Sequence, residues 1–424
     1  MSGPTIENTF SATRTDAASP ETFAIGAAAG GDTSIRPFQY RATDEELDDL
    51  RRRILATRFP ERETVADQTQ GVQLAAIRAV ADYWGTDYDW RRCEARLNAL
   101  PNFITEIDGL DIHFVHVRSR HENALPVIIT HGWPGSVVEQ LKIIGPLTDP
   151  TAYGGSAEDA FDVVIPSMPG YGFSGRPAVT GWDPPHIARA WSELMKRLGY
   201  TRYVAQGGDW GAIVTDMLGV LAPPELLGIH VNMAGVVPRD VDAALFAGNP
   251  LPAGLSDEEK RTCDQLSFIY RKGIGYGFQL GLRPQSMAAL ADSPVGLATY
   301  LLDHDARSLA HITGLFVDGV PYGAITRDDI LDNLTLTWLT NTGVSSGRLY
   351  WENKDSFFAI KGVTVPTAVS VFPEEIYAAP RSWAETAYPG LIHYNRLPAG
   401  GHFAAWEQPE FLTQEMRDGL RSLR

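Results

Sequence analysis

A single acidic residue stands where a strand, a tight turn and a helix are predicted to meet. Residues Gly207–Gly211 read Gly-Gly-Asp-Trp-Gly, between the apolar run Tyr203–Ala205 and a predicted helix over Ala212–Leu218. This is the pattern of a nucleophile elbow, in which small flanking residues allow a strained turn to project one reactive side chain. Asp209 occupies the nucleophile position, and a carboxylate that attacks carbon leaves an ester on the enzyme. The structural alternative is a Gly-rich turn in which Asp209 caps a helix.

Residues that could assist this carboxylate follow the last two predicted strands. His402 comes after two glycines and after the predicted strand Leu391–Tyr394, which is where a hydrolase of this type places its base. Glu374 and Glu375 follow the preceding predicted strand, Thr367–Val371. One of them should hold the imidazole in its working tautomer, but position alone does not separate the two. The structural alternative is that His402 only caps a helix.

A second glycine-containing loop follows the predicted strand Val127–Thr130. Residues His131–Gly135 read His-Gly-Trp-Pro-Gly, and Pro134 fixes the turn. In the α/β-hydrolase arrangement this loop supplies one backbone N–H of an oxyanion hole, and the residue after the nucleophile supplies the other. We therefore predict an oxyanion hole formed by the N–H groups of Trp133 and Trp210. A plain Gly/Pro turn is the alternative.

Predicted strands and helices alternate over about residues 121–235, which is typical of a mostly parallel sheet with helices on both faces. The pattern is helical over 236–355, and alternation resumes over 356–424. We therefore predict an α/β fold of the α/β-hydrolase type, with its core in two halves and a helical cap inserted over the carboxyl ends of the strands. Residues 35–120 predict an N-terminal region of helices and a hairpin around Asp108-Gly109, and residues 1–34 predict a flexible tail.

Composition excludes several classes of partner. The 424 residues carry a formal charge of −16, which argues against nucleic acid or an anionic membrane surface. No stretch is apolar and long enough to span a bilayer, and no basic-then-apolar signal peptide begins the chain. Cys93 and Cys263 are the only cysteines, so we expect a reducing compartment, the cytoplasm. The sequence does not fix the oligomeric state, and a homodimer is compatible with it.

Five short stretches make a specific family resemblance visible. From about Pro37 to its C-terminus the chain resembles the α/β-hydrolase-fold epoxide hydrolases, most closely the microsomal-type branch with its extra N-terminal region. The stretches are His131–Pro134, Pro169–Ser174, Gly207–Gly211, Asp292–Leu297 and Gly400–Ala405. Together they are highly specific, whereas any one of them alone is not. Membrane-type relatives carry an N-terminal anchor helix where this chain has a polar tail, so we expect no membrane attachment.

The resemblance implies roles that the residue pattern leaves open. It implies that Glu375 is the acid and Glu374 a bystander. It also implies that two cap tyrosines, Tyr276 and Tyr350, donate hydrogen bonds to the epoxide oxygen and supply a proton as the ring opens. A phenol with a pKa of about 10 keeps that proton at neutral pH.

The expected reaction follows from these roles. Asp209 attacks an epoxide carbon, and water activated by His402 hydrolyses the resulting ester to give a vicinal diol. The expected partners are a small apolar epoxide and water, with no cofactor and no metal, since no metal-ligand spacing is visible. Aromatic cap residues predict an apolar pocket, namely Phe268, Phe278 and Phe316. The residues expected to bind substrate are His131, Pro134, Trp210 and Phe278.

Three other functions remain to be weighed. A haloalkane dehalogenase also uses an Asp nucleophile on this fold, and the Trp210 indole would fit its halide site. The paired cap tyrosines and the long N-terminal region argue against that activity. A serine esterase is disfavoured because Asp209 fills the elbow, and a non-catalytic binder is disfavoured because every triad position is filled.

Overall fold

The computed structural model describes residues 32–424 and shows a nine-stranded sheet with helices packed against it. The strands are β1 (Arg36–Pro37), β2 (Asn102–Ile107), β3 (Leu110–Val117), β4 (Leu125–Thr130), β5 (Phe161–Pro166), β6 (Tyr203–Gly207), β7 (Leu226–Val231), β8 (Thr367–Val371) and β9 (Leu391–Arg396). The α-helices are α1 (Asp44–Leu55), α2 (Leu74–Thr86), α3 (Trp90–Asn98), α4 (Leu141–Thr148), α5 (Pro184–Arg197), α6 (Trp210–Leu221), α7 (Arg239–Ala247), α8 (Asp257–Phe268), α9 (Gly275–Leu282), α10 (Pro294–Leu302), α11 (Ala306–Thr313), α12 (Arg327–Leu339), α13 (Gly343–Glu352), α14 (Arg381–Ala387), α15 (Ala404–Glu407) and α16 (Pro409–Gly419).

The strand order places the ends of the functional strands side by side. The order is β1-β2-β3-β5-β4-β6-β7-β8-β9, and every pairing from β5 to β9 is parallel. The carboxyl ends of parallel strands meet at one edge of a sheet. The loops after β4 and β6 are therefore direct neighbours, and so are the loops after β8 and β9. The predicted fold class is confirmed by this sheet.

The strands differ according to their place in the sheet. Every residue of β4 and β6 is buried, as expected for central parallel strands covered on both faces. At the other end of the sheet, β2 and β3 form the predicted antiparallel hairpin. Asp108 and Gly109 form its turn with φ angles of 50° and 77°, a conformation that favours Asp-Gly pairs. The predicted hairpin is therefore confirmed.

The cap consists of α7–α13, which lie in the chain between β7 and β8. The N-terminal helices bind this cap as well as leading to the sheet edge, which the sequence did not predict. The Trp84 indole N–H donates to Thr335 Oγ1 at 2.9 Å, and the Tyr88 hydroxyl donates to Asp332 at 2.7 Å. These buried polar contacts fix α12 of the cap to the N-terminal region.

Two further predictions concern where helices begin and end. The predicted capping box of Thr43 and Glu46 is present and begins α1. The last helix, predicted to run from about Pro409 to the end of the chain, ends at Gly419 and is followed by a 3-10 turn over Arg421–Leu423. The predicted tail, residues 1–34, lies outside the described residues except for its last three. The five domain boundaries given above stay predictions.

Candidate active site

Asp209 sits on the strained turn that the sequence predicts. Its backbone has φ 52° and ψ −130°, and its side chain makes no capping hydrogen bond to α6. A Cβ on Gly207 would collide with the Gly211 carbonyl, and one on Gly211 would collide with the Thr130 carbonyl. Both flanking glycines are therefore required by backbone packing. The alternative in which the Asp209 side chain caps the helix is wrong, because Asp209 occupies the N-cap position of α6 but makes no side-chain capping hydrogen bond there.

The loop after β4 binds the Asp209 carboxylate directly. The backbone N–H of Trp133 donates to Asp209 Oδ1 at 2.7 Å in a buried environment. A Cβ on Gly132 would collide with the Asp209 side chain, so glycine is needed for this close approach. Trp210 is the first residue of α6, and its N–H therefore has no acceptor within the helix. One predicted oxyanion donor thus lies against the nucleophile, while the role of Trp210 stays a prediction.

His402 connects the nucleophile to one of the two glutamates. Its Nε2 lies 3.5 Å from Asp209 Oδ2, and its Nδ1 lies 2.6 Å from Glu375 Oε1. A carboxylate only accepts hydrogen bonds, so Nδ1 carries the proton and Nε2 faces the nucleophile. Glu374 points elsewhere and accepts from His311 at 2.8 Å and from Tyr322 at 2.5 Å. The geometry thus pairs Glu375, and not its neighbour, with His402.

The charges around His402 control its protonation. Burial by itself would lower the pKa of the imidazole, but the carboxylates of Glu375, Asp209 and Asp305 outweigh this effect and raise it to about 10. Esterification of Asp209 would remove one of these negative charges. The pKa of His402 should therefore fall once an ester forms, which is the stage at which a base is needed.

The two predicted cap tyrosines line the same cavity as Asp209. This cavity has a volume of about 490 Å³, which suits a small organic molecule. The Tyr276 ring stacks on Trp133 at 4.9 Å, and the Tyr350 ring meets Trp210 edge to face at 4.8 Å. Burial is the main cause that raises the pKa of both phenols well above 10, and the charge of Asp209 contributes to both. Both hydroxyls therefore remain protonated donors at neutral pH.

The cavity wall is mostly apolar, as expected, but only some of the predicted aromatic residues line it. Phe278 and Trp210 line it, as do Phe246, Phe357 and Phe358. The expectation for Phe268 and Phe316 is wrong. Phe268 lines a separate cavity of about 270 Å³, and Phe316 packs against Tyr83 of the N-terminal region at 6.1 Å.

Two residues expected to bind substrate, His131 and Pro134, form hydrogen bonds within the protein instead. Both ring nitrogens of His131 are used by the backbone: Nδ1 donates to the Gly132 carbonyl at 3.0 Å, and Nε2 accepts from the Met168 N–H at 3.2 Å. Burial lowers the pKa of His131 to about 4, so its ring is neutral. Pro134 accepts from Asn333 at 2.8 Å through its carbonyl. Neither residue lines the cavity that contains Asp209, so the sequence expectation is corrected for both.

The sequence analysis missed a second histidine at the nucleophile. His304 is buried, and its Nε2 lies 4.0 Å from Asp209 Oδ2. Its Nδ1 lies 3.2 Å from Asp305 Oδ2, and its ring centre is 4.4 Å from that of His402. The pair His304-Asp305 follows α10 directly, beside the family-like stretch Asp292–Leu297. That proximity in sequence was the only available signal, and it did not indicate which way the imidazole points.

A buried carboxyl group near the site was also missed. Glu139 lies in the 3-10 turn after the His131–Gly135 loop and accepts from Gln140 at 3.1 Å. Burial raises the pKa of Glu139 to about 8, with a further upward contribution from Asp209 that the positive charge of His402 opposes. The sequence does contain a signal for this residue, because a carboxyl group is unusual in a turn that is otherwise mostly apolar.

Comparisons with known proteins agree with this geometry. A family model described as "Epoxide hydrolase N terminus" matches residues 35–140, and one described as "alpha/beta hydrolase fold" matches residues 126–280. A Stigmatella aurantiaca protein, whose given name assigns it to the epoxide hydrolases, is 49% identical over 92% of this chain and 86% of its own length. Epoxide hydrolase 1 of Oryctolagus cuniculus is 36% identical over 91% of this chain and 88% of its own.

A solved structure gives the same result for the fold. The juvenile hormone epoxide hydrolase of the silkworm Bombyx mori aligns with a TM-score of 0.80 and 29% identity, over 93% of this chain and 95% of that one. None of the helices within residues 32–424 combines the length and apolar character that a bilayer crossing requires.

Proposed function

This chain belongs to the epoxide hydrolase family of the α/β-hydrolase fold, and from that premise we propose that it converts an apolar epoxide to a vicinal diol through an ester on Asp209. The observation that carries the mechanism is the position of this carboxylate in its cavity. Asp209 shares one cavity with Tyr276 and Tyr350, while His402 lies behind it at 3.5 Å. A nucleophile and two proton donors thus face one apolar space, and the base lies beside the nucleophile.

Ring opening uses the tyrosines and the aspartate. An epoxide is strained, but its leaving group is an alkoxide, which needs a proton or a hydrogen bond as it develops. Tyr276 and Tyr350 hold the ring oxygen, and one of them transfers its proton to it. Asp209 Oδ2 attacks the ring carbon, so that a carbon–oxygen bond forms as the ring bond breaks. The product of this step is a hydroxyalkyl ester and one tyrosinate.

Ester hydrolysis uses the histidine dyad and the loop after β4. His402 Nε2 takes a proton from water, and Glu375 stabilises the imidazolium through Nδ1. The hydroxide attacks the carbonyl carbon of the Asp209 ester. Trp133 N–H, which already donates to Oδ1, stabilises the oxyanion, and the N–H of Trp210 is the second proposed donor. As this intermediate collapses, the leaving alkoxide oxygen takes the proton from the His402 imidazolium and departs as the diol. The proton that remains on the Asp209 carboxyl passes to the tyrosinate through water, which restores both groups.

The cavity supports an apolar substrate class. Its walls are largely aromatic and aliphatic side chains, and its polar groups include the nucleophile and the two phenols. Asp242, Lys354 and Asp355 also line it, and the carboxylate of Asp242 is occupied by the Tyr270 hydroxyl at 2.5 Å. An aryl, terpene or alkyl epoxide fits such a space. We also propose that the enzyme acts in the cytoplasm, which its two buried free cysteines support. We propose that it needs no added cofactor, since each step above is assigned to a side chain or a backbone group.

One observation favours the dehalogenase alternative as a second activity. The indole N–H groups of Trp133 and Trp210 are both buried and have no hydrogen-bond partner within residues 32–424. Two unpaired indole donors, one on the loop that binds Asp209 and one directly after Asp209 in the chain, are suited to a halide leaving group. Against it stand the two phenols and the family membership shown above. Incubation with a bromoalkane and an aryl epoxide separates the activities, since we expect diol formation and no halide release.

The mechanism is tested by trapping the ester. In His402→Gln, alkylation should proceed while hydrolysis stops, so substrate mass should accumulate on the peptide that contains Asp209. His311→Gln is the matched control, because His311 also pairs with a glutamate, Glu374, but lies outside the cavity. The control should turn over substrate and accumulate no adduct. Substrate mass on a different peptide would contradict the assignment of the nucleophile.

A further inference from the structure

Three side chains that are far apart in sequence lie close together, and one of them, Asp209, lines the cavity. Asp209 Oδ2 lies 3.5 Å from His402 Nε2 and 4.0 Å from His304 Nε2. The three atoms all lie within 4.8 Å of one another, and all three residues are buried. The hydrolysis mechanism uses Asp209 and His402 but gives His304 no role. The cluster therefore offers one more donor atom than the reaction needs.

The additional donor atom is unpaired. His304 is 2% exposed, and its Nε2 has no hydrogen-bond partner within residues 32–424. Buried polar atoms in native proteins nearly always have a partner, so an unpaired nitrogen facing a carboxylate indicates room for a ligand. The ligand must bind a carboxylate oxygen and imidazole nitrogens together.

Both histidines are held in the tautomer that binds a metal. Glu375 accepts the Nδ1 proton of His402 at 2.6 Å, and Asp305 accepts that of His304 at 3.2 Å. Each Nε2 thereby faces Asp209, and a metal ion that binds there displaces any proton that the nitrogen carries. This carboxylate–histidine arrangement, twice repeated, is the second shell that orients imidazole ligands in metal sites.

We propose that Asp209, His304 and His402 form a binding site for a divalent transition metal ion, best matched by Zn²⁺, and that the bound ion inhibits the hydrolase. Metal–ligand bonds of about 2.0–2.1 Å at tetrahedral angles separate neighbouring ligand atoms by about 3.4 Å. The separations of 3.5 and 4.0 Å are close to that value, so small side-chain rotations complete the site. Mg²⁺ and Ca²⁺ are poorer matches because they prefer oxygen ligands.

The groups around the three proposed ligands supply negative charge and a route for the ion. Asp305 and Glu375 add two carboxylates behind the imidazoles, which favours a divalent cation at the centre of the cluster. The cavity of about 490 Å³ is lined by Asp209 and so gives an ion a route to this carboxylate. Inhibition would follow from occupancy of the nucleophilic oxygen and of the base nitrogen. This inhibition rests on the function proposed above, whereas metal binding itself does not.

Binding is tested without reference to activity. Full-length protein, freed of metal by a chelator and then dialysed, is titrated with Co²⁺ while the visible absorption spectrum is recorded. We expect the intense bands of four-coordinate Co²⁺ at one equivalent and their loss on addition of Zn²⁺. The weak spectrum of six-coordinate Co²⁺ alone would overturn the proposed site.

Variants identify the ligands. His304→Leu should weaken Co²⁺ binding at least about tenfold. Asp305→Asn should weaken it about 10- to 100-fold, since it removes the orienting carboxylate while an asparagine can still cap α11. His186→Gln is the matched control, because His186 pairs with Asp108 at 2.9 Å on the surface, and it should bind Co²⁺ like the parent. Undiminished binding in both folded test variants would overturn the site.

Inhibition is measured separately. Zn²⁺ should suppress epoxide turnover in the parent protein, and a chelator should restore it. Zn²⁺ that binds at one equivalent and leaves turnover unchanged would overturn the inhibitory role. A parent protein that hydrolyses no epoxide would contradict the proposed function, while the Co²⁺ titration would still decide the metal site.

Discussion

Nε2 of His402 lies 3.5 Å from Oδ2 of Asp209, while Oδ1 of the same carboxylate accepts the Trp133 N–H at 2.7 Å. The carboxylate is therefore held by one oxygen and left with the other facing the base. Asp209→Ala removes the nucleophile, and we expect kcat to fall by at least about 10⁴-fold. Diol formation measured by chromatography checks this, with circular dichroism as the folding control. Residual activity within tenfold of the parent would contradict the assignment.

The two adjacent glutamates offer a paired test of the acid. Glu375→Gln removes the carboxylate that accepts the His402 Nδ1 proton, so ester hydrolysis should slow by roughly 10³-fold. Glu374→Gln alters only the contacts to His311 and Tyr322, and hydrolysis should stay within about threefold of the parent. Single-turnover kinetics that follow ester decay distinguish the two variants. Similar losses in both would mean that the local fold, and not the acid, had been disturbed.

The cap tyrosines should assist formation of the ester and not its hydrolysis. Tyr276→Phe and Tyr350→Phe each remove one donor to the epoxide oxygen, and each should slow alkylation by on the order of 10²-fold. Tyr270→Phe is the control, because Tyr270 lines the same cavity but its hydroxyl is bound to Asp242. Rapid-quench measurement of ester formation and decay gives both rates. A larger effect on decay than on formation would assign these phenols a different role.

The elbow glycine Gly211 should be essential for folding. A Cβ there would collide with the Thr130 carbonyl, a backbone atom within the sheet that cannot move aside. We expect Gly211→Ala to destabilise the protein by about 3 kcal/mol or more, with a loss of soluble yield. Gly275→Ala is the matched control, since nothing lies within 4 Å of its added Cβ at the start of α9. Its thermal midpoint should stay near that of the parent.

A buried carboxyl on α6 should make stability depend on pH. Burial raises the pKa of Asp216, which accepts from the Tyr388 hydroxyl at 3.0 Å, to about 7. Between about pH 4 and pH 7 the folded protein retains a proton that the unfolded chain has lost. Stability attributable to this group therefore falls as the pH rises through that window, by up to about 1.4 kcal/mol per pH unit.

Asp216→Asn should remove this contribution. Urea unfolding at pH 5 and at pH 7 should show a smaller loss of unfolding free energy in the variant than in the parent. Asp257→Asn, at a position 88% exposed in its side chain, is the control and should keep the parent's slope. An unchanged slope in Asp216→Asn would contradict the pH dependence assigned to this carboxyl.

Local sequence patterns determined much of this protein. The glycines around Asp209, the hairpin at Asp108-Gly109 and the capping box at Thr43 follow from steric and hydrogen-bonding rules that act within a few residues. The alternation of strands and helices predicted the parallel sheet, and the order of β8 and β9 in that sheet placed an acid and a base side by side.

Tertiary structure alone decided which distant side chains meet. His304 is separated from Asp209 and from His402 by more than ninety residues along the chain on either side, and only the fold of the cap brings its ring to the nucleophile. The same packing turns His131 into a backbone support and directs Phe316 toward the N-terminal helices. Helical periodicity shows which face of a helix is apolar and which is polar. It does not show what that face packs against, because the packing of helices is determined by contacts across the whole molecule.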